Sequence, residues 1–197
     1  MGRRPAFDEA EVLEHAQDAF WANGYEGTSL EDLLQATGLS KSSLYSSFGG
    51  KEKLFLTCFD RYRSDRAAEM QAVLAAAPGL PGVREFFRLI IERDPTSSLG
   101  FGCLSMNQGF EQAHRAPAIR DRVGEDLDLI RAALRDALAE GQRLGQVRPD
   151  ADIAAAAASL TITFVGFQLV VRAQLDRTPM IQSLDYLLGP VATDPQE

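Results

Sequence analysis

Apolar residues recur at helical spacing along most of the chain, and no segment shows the polar–apolar alternation of a half-buried strand. Leu13, Ala16 and Phe20 repeat at intervals of three and four residues. Asp8 is placed to cap this first helix, and Gly24 suits a left-handed helix end. The pattern predicts an all-α protein.

Two short helices follow the first. Thr28 and Glu31 have the spacing of a capping box that opens the second helix, and Ser40 is placed to cap a third at residues 41–48. Gly38 lies between them and permits the positive φ of a tight corner. Three helices with such a corner predict a helix-turn-helix unit over residues 1–50.

A longer helix at residues 51–77 leads out of this unit, and the sequence PGLPG then marks a boundary. We assign residues 78–197 to a larger helical unit. Its predicted helices cover residues 83–92, 103–113, a long segment that Pro117 opens, 153–171 and 179–188.

The third helix has two different faces. Leu44 and Phe48 fall together at 100° per residue and are expected to face the core. The remaining positions carry hydroxyls, a lysine and a tyrosine: Lys41, Ser42, Ser43, Tyr45, Ser46 and Ser47. Short serines let a helix sit deep in the major groove of DNA, where Lys and Tyr side chains reach base edges or phosphates. The alternative is a small structural bundle with a solvated serine surface.

The charge distribution makes any DNA contact local. The net charge is -8, which argues against a general nucleic-acid coat, yet all three lysines, Lys41, Lys51 and Lys53, fall in one short window. Thr28 and Lys51 stand at predicted helix N-termini, where backbone N–H groups favour phosphate. The N-terminal arm adds Arg3 and Arg4, which are expected to reach the minor groove or the backbone.

The residues that carry a family resemblance are GYEGTSLEDLLQATGLSKSSLYSSFGGKEKLF, which is similar to the DNA-binding signature of the TetR/AcrR family of transcriptional regulators. The close match covers roughly residues 7–60. It implies an N-terminal three-helix helix-turn-helix DNA-binding domain and a larger helical ligand-binding and dimerisation domain. It also implies a homodimer that binds a palindromic operator on double-stranded DNA, commonly as a repressor released by a small ligand.

Residues and resemblance together give one set of candidate DNA contacts: Arg3, Arg4, Thr28, Ser40, Lys41, Ser42, Ser43, Tyr45, Ser46, Ser47 and Lys51. Many family members have His and Tyr where this chain has Ser46 and Ser47, so the family's operator sequence does not transfer. Loss of the aromatic side chain at Ser47 removes a usual phosphate contact.

The larger unit is rich in phenylalanine, which predicts an apolar pocket for an apolar or electrophilic small molecule. The candidate lining residues are Phe59, Tyr62, Phe86, Phe87, Phe101, Cys103, Met106, Phe110, Phe164, Phe167 and Gln168. Aromatic residues at helical spacing also form ordinary core, and that alternative stays open at each position.

Cys103 stands in the segment FGCLSMNQGFEQ, which resembles a subgroup of the same family with a Gly-Cys-Leu motif and a following Asn at the start of the sixth helix. In the first helical turn a thiol is favoured as thiolate, so the motif predicts a sensor of electrophiles or oxidants. The alternative is a small buried apolar residue. Cys58 is expected in the core.

Other classes of function find little support. Two cysteines make no disulfide framework and fit a reduced, cytoplasmic location. A catalytic pairing of Cys103 with His114 is excluded, because eleven residues of one helix span about 16 Å. Without a phosphate loop or a metal-ligand cluster, we expect no enzyme, cofactor or metal.

The uncharged segment 153–171 is long enough to cross a membrane. Its alanines and its Ser, Thr and Gln residues favour instead a helix covered on nearly all sides by protein. The two C-terminal helices are expected to pair with those of a second subunit as a four-helix dimer interface. Two rival functions remain: a ligand-binding module that has lost operator binding, and an activator.

Overall fold

The computed structural model describes residues 7–94 and 98–193, with backbone only at residues 98 and 99. This part of the chain forms nine α-helices and one short 3-10 helix and contains no strand, which confirms the all-α prediction. The helices are α1 (Glu9–Gly27), α2 (Leu30–Thr37), α3 (Lys41–Phe48), α4 (Lys51–Ala76), α5 (Leu80–Ile91), the 3-10 helix (Ser98–Phe101), α6 (Leu104–Gln112), α7 (Pro117–Arg143), α8 (Ile153–Arg172) and α9 (Thr178–Leu188).

The first three helices and the start of α4 pack around buried Phe20, Leu33, Leu44 and Phe55. The predicted capping box of α2 is wrong by one residue. The cap is Ser29, whose Oγ accepts from the Asp32 backbone N–H at 3.1 Å, while the Asp32 carboxylate accepts from the Ser29 N–H at 2.7 Å.

Helix α1 does not end at Gly24, as the sequence suggested. It kinks there, with φ 77° and ψ 171°, and resumes to Gly27. A Cβ atom on Gly24 would lie 2.7 Å from the carboxylate of Glu111 on α6. Glycine is therefore required both by the positive φ and by the close approach of another helix.

Helix α5 begins at Leu80, three residues before the predicted start at residue 83. Pro81 lies in its first turn, where a missing N–H costs nothing because that group has no partner inside the helix. Part of PGLPG is thus helical. The division of the chain at residue 78 stays a prediction.

In the larger unit, α7 and α8 pack along their lengths through buried residues such as Leu134, Leu138 and Leu160. Our expectation that α8 is covered on nearly all sides is wrong for the single chain, because only 33% of its most apolar window is buried. By length and composition alone α8 is apolar enough to cross a membrane, with a mean hydropathy of 1.9. A core helix meets the same criteria, so this is weak evidence for a membrane.

Candidate functional site

Helix α3 presents a polar edge to solvent. Leu44 is completely buried and Phe48 is half-buried, its ring 6.3 Å from that of Phe7, which confirms the predicted core face. Tyr45 is 51% exposed. The other exposed side chains of the helix are Lys41, Ser42, Ser46 and Ser47, and Ser43 is half-buried. The hydroxyl-rich face therefore points away from the protein.

The helix that carries the polar edge, α3, is capped at its N-terminus and ends in a tight turn at its C-terminus. Ser40 caps α3, since its Oγ accepts from the Ser43 backbone N–H at 3.1 Å. At the other end Gly49 and Gly50 have φ values of 73° and 114° and turn the chain into α4. The ring of Tyr45 lies beside Gly50, 3.3 Å from where a Cβ would stand. A side chain at residue 50 would press against the Tyr45 ring, so glycine there leaves room for the tyrosine as well as adopting the positive φ.

Lys51 opens α4 next to this edge. Its Nζ lies 4.3 Å from the centre of the Tyr25 ring, a cation–π contact that positions the charge near the helix N-terminus. Thr28, predicted to contact phosphate, is instead fully buried. Its hydroxyl donates to the Gly24 carbonyl at 2.6 Å, so it stabilises the α1 kink and is not available to DNA. Arg3 and Arg4 lie outside the described residues.

A cavity of about 250 Å³ lies between α4, α5, α6, α7 and α8. It brings together six of the predicted lining residues: Tyr62, Phe86, Cys103, Met106, Phe164 and Gln168.

The other five candidates do not line this cavity. Phe59 is core beside Phe55, and Phe87 packs against Phe167 with ring centres 5.6 Å apart. Phe101 lies under the Arg172 guanidinium. Phe110 is exposed and lines a shallow surface depression elsewhere.

The cavity also has a polar side that the sequence reasoning missed. Arg63, Arg66, Arg93, Ser105 and Asp126 all contribute to its wall. A signal was present, because Arg63 and Arg66 share the face of α4 that carries Tyr62 and Met70. Because arginine on a helix is most often solvated, this spacing alone does not distinguish a cavity wall from an exposed surface.

Cys103 is 8% exposed and is the N-cap of α6, one residue before the predicted first turn. The Tyr62 hydroxyl donates to its Sγ at 3.4 Å and accepts from the Leu104 backbone N–H at 3.1 Å. Burial, with the nearby Cys103 thiol, raises the pKa of the Tyr62 phenol well above its usual value, so it stays a neutral donor. Cys58 is buried in the core, and its burial raises the pKa of the thiol to about 12.

The segment beside Cys103 is bonded to α1. The indole Nε1 of Trp21 donates to the Gly102 carbonyl at 3.2 Å, and the Trp21 ring meets the Tyr62 ring edge-on at 4.9 Å. Arg172 of α8 donates to the carbonyls of Trp21 at 3.1 Å and Ala22 at 3.3 Å. The cavity wall and the helix-turn-helix unit are therefore in direct contact.

A second connection runs through α6. The carboxylate of Glu111 accepts hydrogen bonds from the backbone N–H groups of Tyr25 at 3.1 Å and Glu26 at 2.7 Å. These are the first donors after the Gly24 kink, where a new helical turn begins. We name the contact of Glu111 with these two N–H groups the α6 clip.

Comparison with known proteins agrees with both halves of this arrangement. Residues 12–58 match the family model "Bacterial regulatory proteins, tetR family", and residues 79–187 match "Tetracyclin repressor-like, C-terminal domain".

Among curated relatives, the HTH-type transcriptional regulator YezE of Bacillus subtilis is 32% identical over 90% of this chain and 93% of its own. The HTH-type transcriptional repressor ComR of Escherichia coli is 28% identical over 96% and 92%. A cysteine-substituted form of the TetR-family regulator CifR, solved with operator DNA, superposes with a TM-score of 0.78 at 29% identity, covering 95% of this chain and 98% of that one.

The family and these relatives are regulators of transcription and not enzymes. The polar edge of α3 lies in the part of the chain that matches the tetR family model. The cavity lies between α4 and helices of the part that matches the repressor-like domain. The chain belongs to the TetR family of DNA-binding transcriptional regulators.

Proposed function

We propose that this protein is a homodimeric repressor that binds a palindromic operator through α3 and is released when a small molecule occupies the cavity or when Cys103 is modified. The observation that carries the proposal is the exposed edge of α3, with Lys41, Ser42 and Tyr45 held outward over the buried Leu44. ComR is named a repressor, and CifR was solved on a 26-bp operator. Such a regulator acts where the DNA is, in the cytoplasm.

The dimer is supported by the outer faces of α8 and α9. Ile162 is 70% exposed and Tyr186 is 81% exposed, and Leu169 and Ile181 are also largely exposed. Large apolar side chains grouped on two adjacent helices usually mark a protein–protein contact. Small residues on the same face of α8, such as Ala158, allow a second copy to approach closely.

A dimer also suits the DNA. Two recognition helices must enter successive major grooves about 34–36 Å apart, so a change in their separation weakens operator binding. An effector therefore releases the protein from DNA if its binding favours a different distance between the two recognition helices. Helix α4 connects effector binding with DNA binding. Lys51 at its start lies next to the polar edge of α3, and Tyr62 further along lines the cavity.

Selection of binding sites from random DNA tests the proposal. We expect the protein to enrich a two-fold symmetric sequence with half-site centres about one helical turn apart. As a matched control, Asp128→Asn, an exposed substitution on α7, is expected to enrich the same sequence. Enrichment of no sequence, or of one without symmetry, would contradict the proposal.

The cysteine route has a separate test. Cys103 lines the cavity, and its Sγ accepts a hydrogen bond from the Tyr62 hydroxyl. If this cysteine is the sensor, iodoacetamide labels it faster than free cysteine and releases the selected DNA. Cys58 serves as the internal control, because its raised pKa and burial predict no labelling of the folded protein. Labelling of Cys103 no faster than of free cysteine, with DNA still bound, would exclude this route.

A further inference from the structure

We propose that the effector is a small amphipathic carboxylic acid, whose carboxylate accepts hydrogen bonds from Gln168 and Arg66 and whose apolar part lies against the opposite wall of the cavity. This inference rests on the proposed function, since it names the class of molecule that the cavity takes. Two unpartnered donors, the charge of the wall and the volume of the cavity carry it.

Gln168 on α8 gives the first observation. Its side chain is 1% exposed and lines the cavity, and its Oε1 accepts from Arg93 Nη1 at 3.5 Å. That contact assigns the oxygen and the nitrogen of the side-chain amide, so Nε2 is the amide group without a partner in the described structure. It is buried and has no hydrogen-bond partner among the described residues. A buried donor in this state is costly, and an acceptor on a ligand removes the cost.

Arg66 on α4 gives a second donor of the same kind. One end of its guanidinium forms an ion pair with Glu69, but its buried Nε has no hydrogen-bond partner in the described part of the chain. The guanidinium also lies over the Tyr62 ring, 5.7 Å from its centre. Both unsatisfied groups are donors, so the ligand must present acceptors and not donors.

The charge of the wall makes a carboxylate the better acceptor. Three arginines line the cavity, Arg63, Arg66 and Arg93, against two carboxylates, Glu69 and Asp126, so the formal balance is +1. A carboxylate offers two oxygens, enough for both donors, and bonds to a charged acceptor are roughly twice as strong as neutral ones. An amine would add a donor and a positive charge to this wall.

The other walls are apolar. Met70 and Ile90 contribute to them with Met106 and Leu129, beside the Phe86 and Phe164 rings, whose centres are 5.9 Å apart. The volume of about 250 Å³ is just below the range of about 300–1,000 Å³ usual for ligand sites. A compact hydrocarbon with one acidic end therefore fits better than a sugar or a nucleotide, whose hydroxyls would meet apolar walls.

Calorimetry on the intact protein with three probes of equal length tests the class: octanoate, octanol and octylamine. We expect octanoate to bind most tightly, at least about tenfold tighter than octanol, and octylamine to bind weakest. Octanol that binds as well as octanoate, or octylamine that binds better, would overturn the proposal.

Variants locate the carboxylate. Gln168→Leu is expected to weaken octanoate at least about tenfold and to weaken octanol less, because a carboxylate offers two charged oxygens to the donor pair and a hydroxyl offers one neutral oxygen. Arg66→Gln provides the same test without altering α8, should Gln168→Leu fail to fold by circular dichroism. The matched control is Arg135→Leu, which removes one exposed positive charge on α7 outside the cavity. Equal weakening by Arg135→Leu would mean that net charge and not the site selects the acid, and would overturn the assignment.

The selected DNA separates this inference from the function on which it rests. Octanoate that fails to bind while the protein still enriches a palindrome overturns only the effector class. Octanoate that binds as expected to a protein that enriches no DNA supports the effector class and overturns the repressor proposal.

Discussion

The α6 clip yields a prediction whose size follows from its geometry. Glu111 reaches from α6 to the kink in α1 and accepts from the N–H groups of Tyr25 and Glu26. In Glu111→Gln one oxygen remains as an acceptor and the other becomes an NH₂ group that faces a backbone donor. The variant therefore loses one backbone hydrogen bond and gains a donor–donor contact, without a change in volume. The bonds that remain, including any from Gln108 Nε2, are no longer charge-assisted.

A hydrogen bond to a charged group contributes about 1.5–3 kcal/mol to stability. Glu111 is only half-buried, so water screens part of this, and we expect the free energy of unfolding to fall by about 1–2 kcal/mol. For a chain of this length, that lowers Tm by about 2–8 °C. Urea denaturation at fixed protein concentration measures the change, because the stability of the proposed dimer would depend on concentration.

Local exchange shows whether the loss occurs at the clip. The amide hydrogens of Tyr25 and Glu26 should exchange faster in Glu111→Gln, whereas amides in α8 should change only as far as global stability changes. Asp128→Asn is the control, because Asp128 is exposed and pairs only with Arg131 one turn away among the contacts described. Equal destabilisation by both variants, or unchanged exchange at Tyr25 and Glu26, would refute the reasoning.

Three further predictions concern DNA and assembly. Lys51→Ala should weaken binding to all sequences alike and reduce the salt slope by about one unit in binding assays at several salt concentrations; an unchanged slope would remove its phosphate role. Tyr45→Ala and Ser42→Ala should each alter the sequence selected from random DNA, and identical selected sequences would mean that α3 does not face the bases. Ile162→Glu should convert the dimer to monomers in analytical ultracentrifugation, whereas Leu89→Glu, also exposed but on α5, should leave it intact; a dimeric Ile162→Glu protein would place the interface elsewhere.

The helices and the faces of α3 were predictable because they depend on local periodicity. Leu44 and Phe48 share a side at any rotation of the helix, so their inward position follows from the sequence alone. The cap of α2 was not predictable in this way. Thr28 and Ser29 are adjacent and both able to cap, and the choice depends on the Gly24 carbonyl, which takes the Thr28 hydroxyl and is supplied by a kink in another helix.

The cavity shows the same limit at larger scale. Phe86 lines it and Phe87 does not, although they are neighbours in sequence, because rotation of α5 in the assembled core decides which ring meets the space. The polar side of the cavity could not be predicted from local sequence, because it depends on ion pairs between distant helices. Arg63 is held by Asp126 and Glu125 of α7, residues more than fifty positions away, so only the fold explains an arginine at the edge of a core.

The position of Tyr62 gives the proposed response to an effector a physical route from the cavity to the helix-turn-helix unit. Its hydroxyl holds the start of α6 through Cys103 and Leu104, and its ring packs against Trp21 of α1. In the proposed mechanism, a ligand or a modified thiol beside Tyr62 changes contacts that both halves of the protein share. If the ligand binds best to one arrangement of these contacts and DNA binds best to another, ligand binding weakens operator binding. A difference of about 1.4 kcal/mol changes operator affinity tenfold, which is comparable to the hydrogen bonds that meet at this residue.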